Sequence, residues 1–261
     1  MYLALVRMAF QRQLTYRAAT LAGLATNIFF GALRAYVLIA LFGARENIAG
    51  YSLPAAITYT ALTQALLAYI AIWGWWDLIR NIRSGDVGTD LSRPIDFFGY
   101  WCARDVGRAA AQFFLRGLPV MLVYALFYPI LFPPSALHWA AFGLSLLLAL
   151  LVSFSWRFLV SLAAFWMQDA IGAGRFASSM ATFLSGFLMP VAFMPGFVVA
   201  LMQLTPFPSM INTPIVIYLG LIDGPELAAA LAQQLLWLLI LIALSRMVLS
   251  AGVKKLVIQG G

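Results

Sequence analysis

The chain has 261 residues, of which 64% are hydrophobic and only 10% are charged. Soluble domains carry about a quarter charged residues, so this composition excludes an ordinary soluble domain and indicates that lipid surrounds most of the chain. The net charge of +7 could suit nucleic acid. The basic residues, however, stand singly between apolar runs and form no stripe, so we expect no nucleic acid partner. One cysteine, Cys102, and one histidine, His138, exclude an internal disulfide and argue against a metal site.

Six apolar segments are long enough to cross a bilayer, which takes about 20 residues. Their predicted ranges are 18–42, 51–76, 109–132, 137–167, 176–194 and 227–249. The sequence therefore predicts an all-α polytopic membrane protein with six transmembrane helices. We interpret residues 1–261 as a single membrane domain.

The flanks of these segments predict the orientation, because Lys and Arg gather on the cytoplasmic side. One side carries Arg7, Arg12, Arg17, Arg80, Arg83, Arg93, Arg104, Arg108, Arg175, Arg246, Lys254 and Lys255, and the other carries only Arg45. Both termini are therefore predicted to be cytoplasmic, in a multi-pass protein of the inner cell membrane. Trp73, Trp75 and Trp76 are predicted at the inner interface. The first 17 residues lack the cleavage site of a secretory signal, and we expect a retained interfacial segment there.

The apolar region over residues 176–222 is too long for one crossing and too short for two crossings with a turn. Its five prolines, each of which obstructs a helix interior, are Pro190, Pro195, Pro206, Pro208 and Pro214. Broken backbone at membrane depth must be shielded by protein or water. We therefore expect one crossing that ends near Met194, followed by short helices over residues 195–222 that re-enter the outer face.

The longest polar stretch, over residues 77–108, is predicted to be a structured cytoplasmic loop. Gly85 and Gly88 allow tight turns, Pro94 separates two short helical pieces, and Asp90 or Ser92 could cap one of them. The stretch also carries the apolar residues Leu91, Ile95, Phe97 and Phe98. Two interpretations stay open for these side chains, which could dock a partner or pack on the chain's own helices.

A family resemblance rests on this loop and on the proline-rich region. The run of Arg83, Gly85, Asp86, Leu91, Arg93 and Pro94 resembles the coupling loop of type-2 ABC exporter permeases. The stretches FLSGFLMPVAFMPG from residue 183 and LTPFPSMINTPIVIYLG from residue 204 are similar to that family's fifth helix and re-entrant segment. The resemblance covers essentially the whole chain. It implies two permease subunits, identical or similar, with residues 83–94, including Asp90, pressed onto separate ATPase subunits.

The resemblance also implies that ATP and Mg²⁺ belong to the partner ATPase and that this chain carries no cofactor. A phosphate-binding P-loop needs G-x-x-x-x-G-K-[ST], whereas the only lysines lie in AGVKKLV. The chain is therefore expected to be a transport subunit, not an enzyme, of an exporter for hydrophobic or amphipathic compounds. The form of the coupling loop is similar to the subgroup that exports viologen-like and other cationic drugs, and lipids remain open as substrates.

Polar and aromatic residues within the predicted crossings are candidates for a transport pathway. Intramembrane charge is expensive and tends to face the protein interior, which singles out Arg34, Arg116 and Arg157, with Asn27 beside them. No carboxylate is expected deep in a crossing to pair with these arginines. Methionine and aromatic side chains suit varied apolar ligands, and the candidates are Phe183, Phe187, Met189, Phe193 and Met194. Lipid-facing bulk accounts for these five residues equally well.

Two other functional classes are weighed. One is an ATP-independent carrier or channel. Proton-driven carriers usually use an intramembrane Asp, Glu or His as the relay, and the sequence predicts none at depth, which argues against a secondary transporter. An intramembrane enzyme would need a serine and a base within hydrogen-bond reach. His138 is predicted at the outer end of the fourth crossing, and Ser185 with Gly186 is expected to pack helices.

Overall fold

The computed structural model describes residues 1–73 and 76–255, so that Trp75 and the last six residues lie outside the description, as does the side chain of Arg17. The helices are α1 (Tyr2–Leu14), α2 (Arg17–Phe42), α3 (Leu53–Ile70), α4 (Asp77–Ser84), α5 (Val87–Leu91), α6 (Phe97–Gln112), α7 (Leu118–Phe127), α8 (Ala136–Ser161), α9 (Ala170–Leu184), α10 (Gly196–Gln203), α11 (Asn212–Tyr218) and α12 (Gly224–Val253). A π-helical turn, Phe113–Gly117, joins α6 to α7. Strands β1 (Asn47–Ile48) and β2 (Tyr51–Ser52) form an antiparallel hairpin before α3. Turns of 3-10 helix cover Leu162–Phe165, Val191–Phe193 and Pro208–Met210.

Among the described residues, five helical segments are long and apolar enough to cross a membrane. They are Ala18–Phe42, Leu53–Ile70, Phe97–Phe127, Ala136–Phe165 and Gly224–Val253. These segments correspond to the first four predicted crossings and to the sixth. The prediction of an all-α polytopic membrane protein is confirmed.

The third crossing begins earlier than the sequence predicts. Residues 97–108 were assigned to the polar loop, but the helical span starts at Phe97. Asp96 initiates it, because its carboxylate accepts a hydrogen bond from the backbone N–H of Gly99 at 2.7 Å. Asp96, and neither Asp90 nor Ser92, is therefore the cap of this helix.

The second crossing ends earlier than predicted, at Ile70 instead of residue 76. Ser52 caps its start by accepting from the N–H of Ala55 at 3.4 Å, and Pro54 occupies the first turn, where its missing N–H costs nothing. Ala71 ends it in the left-handed region with φ of 52°. This conformation costs a residue with a Cβ roughly 1–2 kcal/mol.

The fifth predicted crossing is shorter than expected. Its α-helix, α9, has 15 residues and ends at Leu184, not near Met194. At 1.5 Å per residue this helix is about 22 Å long, less than the roughly 30 Å hydrocarbon core of a bilayer. Gly186, with φ of +83°, reverses the chain directly after it. Ser185 and Gly186 therefore terminate α9. Gly186 also allows close packing against α3, as the sequence predicts, because a Cβ there would lie 2.5 Å from the hydroxyl of Tyr59.

The two largest buried clusters join most of the helices. One joins α3 and α8 to α11 and includes Tyr59, Val152 and Ile215. The other, which we call the tip-side core, joins α4, α5, α6 and α8 through Leu78, Ile82, Val87, Phe97, Phe98, Trp101, Phe154, Phe158 and Leu162. Most of α3 and α8 is buried, whereas α2, the α6–α7 span and α12 are largely exposed. The centre of the fold is therefore α3 packed beside α8.

Candidate coupling surface and intramembrane polar sites

The predicted coupling residues lie on a protruding turn between α4 and α6, which we call the tip (residues 83–94). Helix α4 is amphipathic and buries Leu78, Ile79 and Ile82. At its end Gly85 adopts φ of +83°, a left-handed conformation that glycine takes at little cost. Arg83, Gly85 and Asp86 are exposed. The tip therefore exposes polar groups, while the preceding helix α4 is packed into the protein.

Two buried residues anchor the tip. Val87 is completely buried in the tip-side core. Asp90 is also buried and forms an ion pair with Arg93 at 3.1 Å, and the Arg93 guanidinium lies 5.1 Å from the centre of the Tyr100 ring. Leu91 is half-buried against the same core, while Pro94 is exposed.

The apolar residues of the polar stretch serve the chain's own packing. Phe97 and Phe98 are buried, and their rings make edge contacts with Phe158 at 5.9 and 5.0 Å between centroids. Leu91 and Ile95 pack partly buried against the same cluster. Of the two interpretations that the sequence left open, packing on the chain's own helices holds for these four side chains.

Arg34 and Phe187, two of the predicted pathway residues, are in contact. The Arg34 guanidinium donates to the carbonyl oxygen of Phe187 at 2.9 Å and lies 4.4 Å from the centre of the Phe187 ring. Phe187 is buried and packs edge-on against Trp73 at 5.2 Å. Arg34 thus satisfies a backbone carbonyl freed where the chain breaks after α9, one of the roles that the sequence left open.

The remaining aromatic and methionine candidates do not share one environment. Phe183 and Met189 are exposed. Phe193 is partly buried against Tyr51, with 5.4 Å between ring centroids, and Met194 is half-buried. The exposed pair fits lipid-facing bulk, and a single pathway through all five residues stays a prediction.

Asn27 and Arg116 meet where α2, α3 and the π-helical turn converge. Asn27 donates to the carbonyl of Gln64 at 3.0 Å and accepts from Arg116 Nη2 at 3.4 Å. Three side-chain atoms nearby are buried without a hydrogen-bond partner in the described part of the chain. They are Nε of Arg116, the side-chain amide nitrogen of Gln64 and the hydroxyl oxygen of Tyr124. Such a set of unsatisfied polar atoms at membrane depth is costly unless it binds something.

Arg157 overturns the expectation that intramembrane arginines lack an acidic partner. Its guanidinium forms two hydrogen bonds to Asp105 of α6, at 2.6 and 3.2 Å. Arg108 reaches the same carboxylate at 2.8 Å and donates to the carbonyls of Ala68 and Tyr69 at 2.5 and 2.9 Å. This network, which the sequence analysis missed, closes the end of α3 and ties α3, α6 and α8 together.

The proline-rich segment between α9 and α12 has its broken backbone shielded by protein. Pro190, Pro206, Pro208 and Pro214 are buried, and Pro195 is exposed at the start of α10. The hydroxyl of Tyr59 lies 2.8 Å from the carbonyl oxygen of Gly186 and 3.0 Å from Asn212 Oδ1. The backbone N–H of Asn212 donates to the carbonyl oxygen of Ser185 at 3.1 Å. The side-chain oxygen of Asn212 accepts a hydrogen bond from the backbone N–H of Val191 at 3.3 Å. The short helices that the prolines predict are present.

His138 lies between a serine and an aspartate. Its Nδ1 is 2.9 Å from Ser135 Oγ, and its Nε2 is 2.9 Å from Asp223 Oδ1. The same Ser135 oxygen accepts the backbone N–H of His138 at 3.3 Å, the usual arrangement of a helix cap. We interpret the three residues as a fastening of the loop before α12 onto the start of α8.

The long apolar helices, the buried charge network and the shielded proline-rich segment define a multi-pass membrane protein built around polar contacts between spans. A family model described as ABC-2 family transporter protein matches residues 28–260. The chain belongs to this family and is the membrane component of an ABC transporter, which implies an ABC ATPase as its partner. The match includes the tip and the proline-rich segment but not α1. No curated protein matches the chain.

Proposed function

We propose that this chain is the permease subunit of an ATP-driven exporter of hydrophobic or amphipathic compounds in the inner cell membrane. The ATP and Mg²⁺ would be held by a separate ATPase that docks on the tip, on the cytoplasmic side where both termini lie. The observation that carries the proposal is an exposed polar tip on a buried base, in a chain of the ABC-2 family.

The packing supports a mechanical role for the tip. Force applied at Arg83 or Gly85 passes into α4, whose apolar face lies in the tip-side core beside Phe154 and Phe158 of α8. The Asp105–Arg157 ion pair then links α8 to α6, and Arg108 extends the link to the end of α3. Closure of the ATPase would therefore displace three spans together. This concerted displacement would switch the permease between its inward-open and outward-open forms.

A second permease subunit, identical or similar, is part of the proposal. Large apolar side chains are exposed along α2 and α7: Leu21, Phe29, Phe30, Leu33, Tyr36 and Val37 on α2, and Leu122, Leu126 and Phe127 on α7. Lipid covers some of such a surface in any membrane protein, and a paired subunit would cover part of it here.

The proposal is tested by affinity purification of the chain from native membranes in mild detergent. We expect a P-loop ATPase to co-purify in stoichiometric amount and to hydrolyse ATP. Arg83→Glu should weaken this association, because it reverses a charge on the exposed tip, whereas Arg45→Glu, an exposed arginine on the opposite predicted side, should not. Recovery of the chain alone, with nucleotide-independent transport in vesicles, would favour the ATP-independent carrier instead.

A further inference from the structure

A row of polar residues follows one side of the α6–α7 span. Arg104, Arg108, Gln112 and Arg116 are spaced four residues apart. In an α-helix each such step advances about 40° around the axis, so the row would drift away from one face. The wider π-helical turn, Phe113–Gly117, rotates each residue less and counters this drift at Arg116. Turns of this kind are frequent at functional sites.

The row lines two adjoining cavities. The first, of about 420 Å³, lies between α1 and α6. Its charged lining consists of four arginines and two carboxylates, namely Arg12, Arg93, Arg104, Arg108, Asp77 and Asp105, beside Tyr100 and Trp101. The second, of about 270 Å³, is lined by Arg108, Gln112 and Arg116, with Leu67 and Trp73. Arg108 lines both cavities, so the two adjoin at this residue, and we call the row from Arg104 to Arg116 the track. From Arg104 to Arg116 the track rises about 18 Å along the helix.

The track carries an excess of positive charge. Within the described part of the chain Arg108 and Arg157 share the carboxylate of Asp105, so these three side chains together carry one positive charge. Among the described residues no carboxylate forms an ion pair with Arg104 or Arg116. Uncompensated cations in a low-dielectric setting attract an anion far more strongly than they would in water.

Arg104 and Arg116, at the two ends of the track, have N–H groups available to donate to a ligand, whereas Arg108 at its centre does not. Arg108 is fully engaged with Asp105 and with two backbone carbonyls, so it contributes charge but few donors. Arg104 stacks 4.4 Å from the centre of the Trp101 ring, which leaves its in-plane N–H groups available. Arg116 makes one long bond to Asn27, and its Nε is buried without a partner among the described residues.

The surroundings of Arg116 are shaped to hold its guanidinium in place. A Cβ at Gly23 of α2 would overlap that guanidinium, so the glycine provides its space. Gln112 donates to Gln13 of α1 at 2.9 Å, and its own side-chain oxygen is buried without a partner in the described part of the chain. Apolar side chains border the same cavity, so a ligand there meets both charge and hydrocarbon.

We propose that the Arg104–Arg116 track binds the anionic headgroup, carboxylate or phosphate, of the amphipathic compound that this permease exports, while the compound's apolar tail stays in the lipid. The inference rests on the proposed function and narrows its substrate class. The excess positive charge of this row repels a cationic drug and so disfavours the viologen-like substrates that the loop resemblance suggested.

The first test measures binding to the complex purified from native membranes and placed in phosphatidylcholine nanodiscs. Dodecyl phosphate and dodecyltrimethylammonium share one tail and differ in charge, and calorimetric titration should detect binding of the phosphate only. Arg116→Gln should weaken this binding about tenfold, the loss of one charged hydrogen-bonding partner. Arg175→Gln removes an exposed arginine elsewhere and should leave binding unchanged. Equal binding of both amphiphiles would overturn the proposal.

Two further variants keep the test valid if Arg116→Gln folds poorly. Arg104→Gln removes the other free end, which is half-exposed, and should also weaken dodecyl phosphate binding. Arg116→Lys keeps the positive charge and should therefore bind dodecyl phosphate more tightly than Arg116→Gln does. Unchanged affinity in both glutamine variants would contradict the assignment. An ATPase that still co-purifies with these variants would show that the proposed function stands even where the track fails.

The second test separates an exported amphiphile from a resident membrane lipid, because both offer the same headgroup chemistry. The complex is reconstituted into phosphatidylcholine vesicles, and ATP-dependent movement of dodecyl phosphate between the leaflets is followed. Movement that requires ATP and is lost in Arg116→Gln supports the proposal. Binding that added phosphatidylglycerol abolishes, with no ATP-dependent movement, would mean that the track holds a structural lipid, and the proposal would be wrong.

Discussion

Arg157 and Arg116 both lie within membrane spans, but they differ in burial and in their ion-pair partners. Arg157 is buried and forms a two-pronged ion pair with Asp105, an arrangement that fixes both charges. Arg116 is half-buried, has no carboxylate partner among the described residues and borders a cavity. An intramembrane arginine therefore stabilises the fold where the chain itself supplies a carboxylate partner. An intramembrane arginine without such a carboxylate among the described residues is a candidate for binding a ligand.

The largest expected effect comes from breaking the built-in pair. Asp105→Asn removes the carboxylate that Arg157 and Arg108 share. Removing one partner of a buried pair costs about 3–5 kcal/mol. We expect a large drop in the unfolding temperature in detergent, measured by intrinsic fluorescence.

The matched control for this substitution is Asp86→Asn. Asp86 is exposed and accepts a hydrogen bond from Ser84 at 2.6 Å, so its loss should shift the unfolding temperature little. The double variant Asp105→Asn with Arg157→Met should recover part of the lost stability, because the second change removes one orphaned charge. Equal stability of Asp105→Asn and the native chain would mean that the network is not a structural tie.

A smaller effect is expected at the broken backbone after α9. Tyr59→Phe removes the buried hydroxyl that lies against the Gly186 carbonyl and Asn212. Leaving a buried acceptor unsatisfied costs about 1–3 kcal/mol. Thermal unfolding should report this loss, whereas Tyr16→Phe, at an exposed site, should show none. No difference between the two variants would mean that the hydroxyl does not hold the chain break closed.

Much of this fold is readable from local sequence. Five long apolar runs mark the spans, prolines mark the broken outer segment, and Gly85 with Pro94 marks the turn of the tip. These features are local, since each depends on the hydropathy or backbone preference of neighbouring residues. The tip could therefore be placed within a few residues of where it lies.

The contacts between spans could not be read in this way. Asp105 and Arg157 are 52 residues apart, and no pattern in the neighbouring sequence of either residue indicates that they pair. Asp105 instead gave α6 the composition of a polar loop, which moved the predicted third crossing downstream. The one local clue was Arg108, three residues after Asp105 and on the same helical face. Ser185 and Gly186 mark the end of α9, but their composition predicts close packing equally well, so it did not reveal that the helix stops there.

Arg116→Gln should change the stability of the protein far less than Asp105→Asn does. Arg116 has one long hydrogen bond to lose, and its charge is uncompensated among the described residues. Removing an uncompensated intramembrane charge also relieves a desolvation cost, so we expect a change within about 1 kcal/mol. Thermal unfolding of Arg116→Gln beside Arg157→Gln measures the contrast directly. A loss of stability as large as that of Arg157→Gln would place Arg116 in the scaffold and remove the reason to regard it as a binding group.

A similarly small effect on stability is expected at the tip, where the effect on coupling should be the largest. Gly85 has open space around its Cα and φ of +83°, so Gly85→Ala adds no clash but strains the backbone by roughly 1 kcal/mol. Gly88→Ala, also in open space, lies within α5 and should cost less. If the tip transmits the motion of an ATPase, Gly85→Ala should lower the ratio of transport to ATP hydrolysis in the reconstituted complex while unfolding hardly changes. Because Val87 and Asp90 hold the base of the tip in place, a local distortion at Gly85 cannot be absorbed by rigid-body movement of the turn. An unchanged ratio in Gly85→Ala, together with loss of coupling in a variant remote from the tip, would transfer the coupling role to another surface.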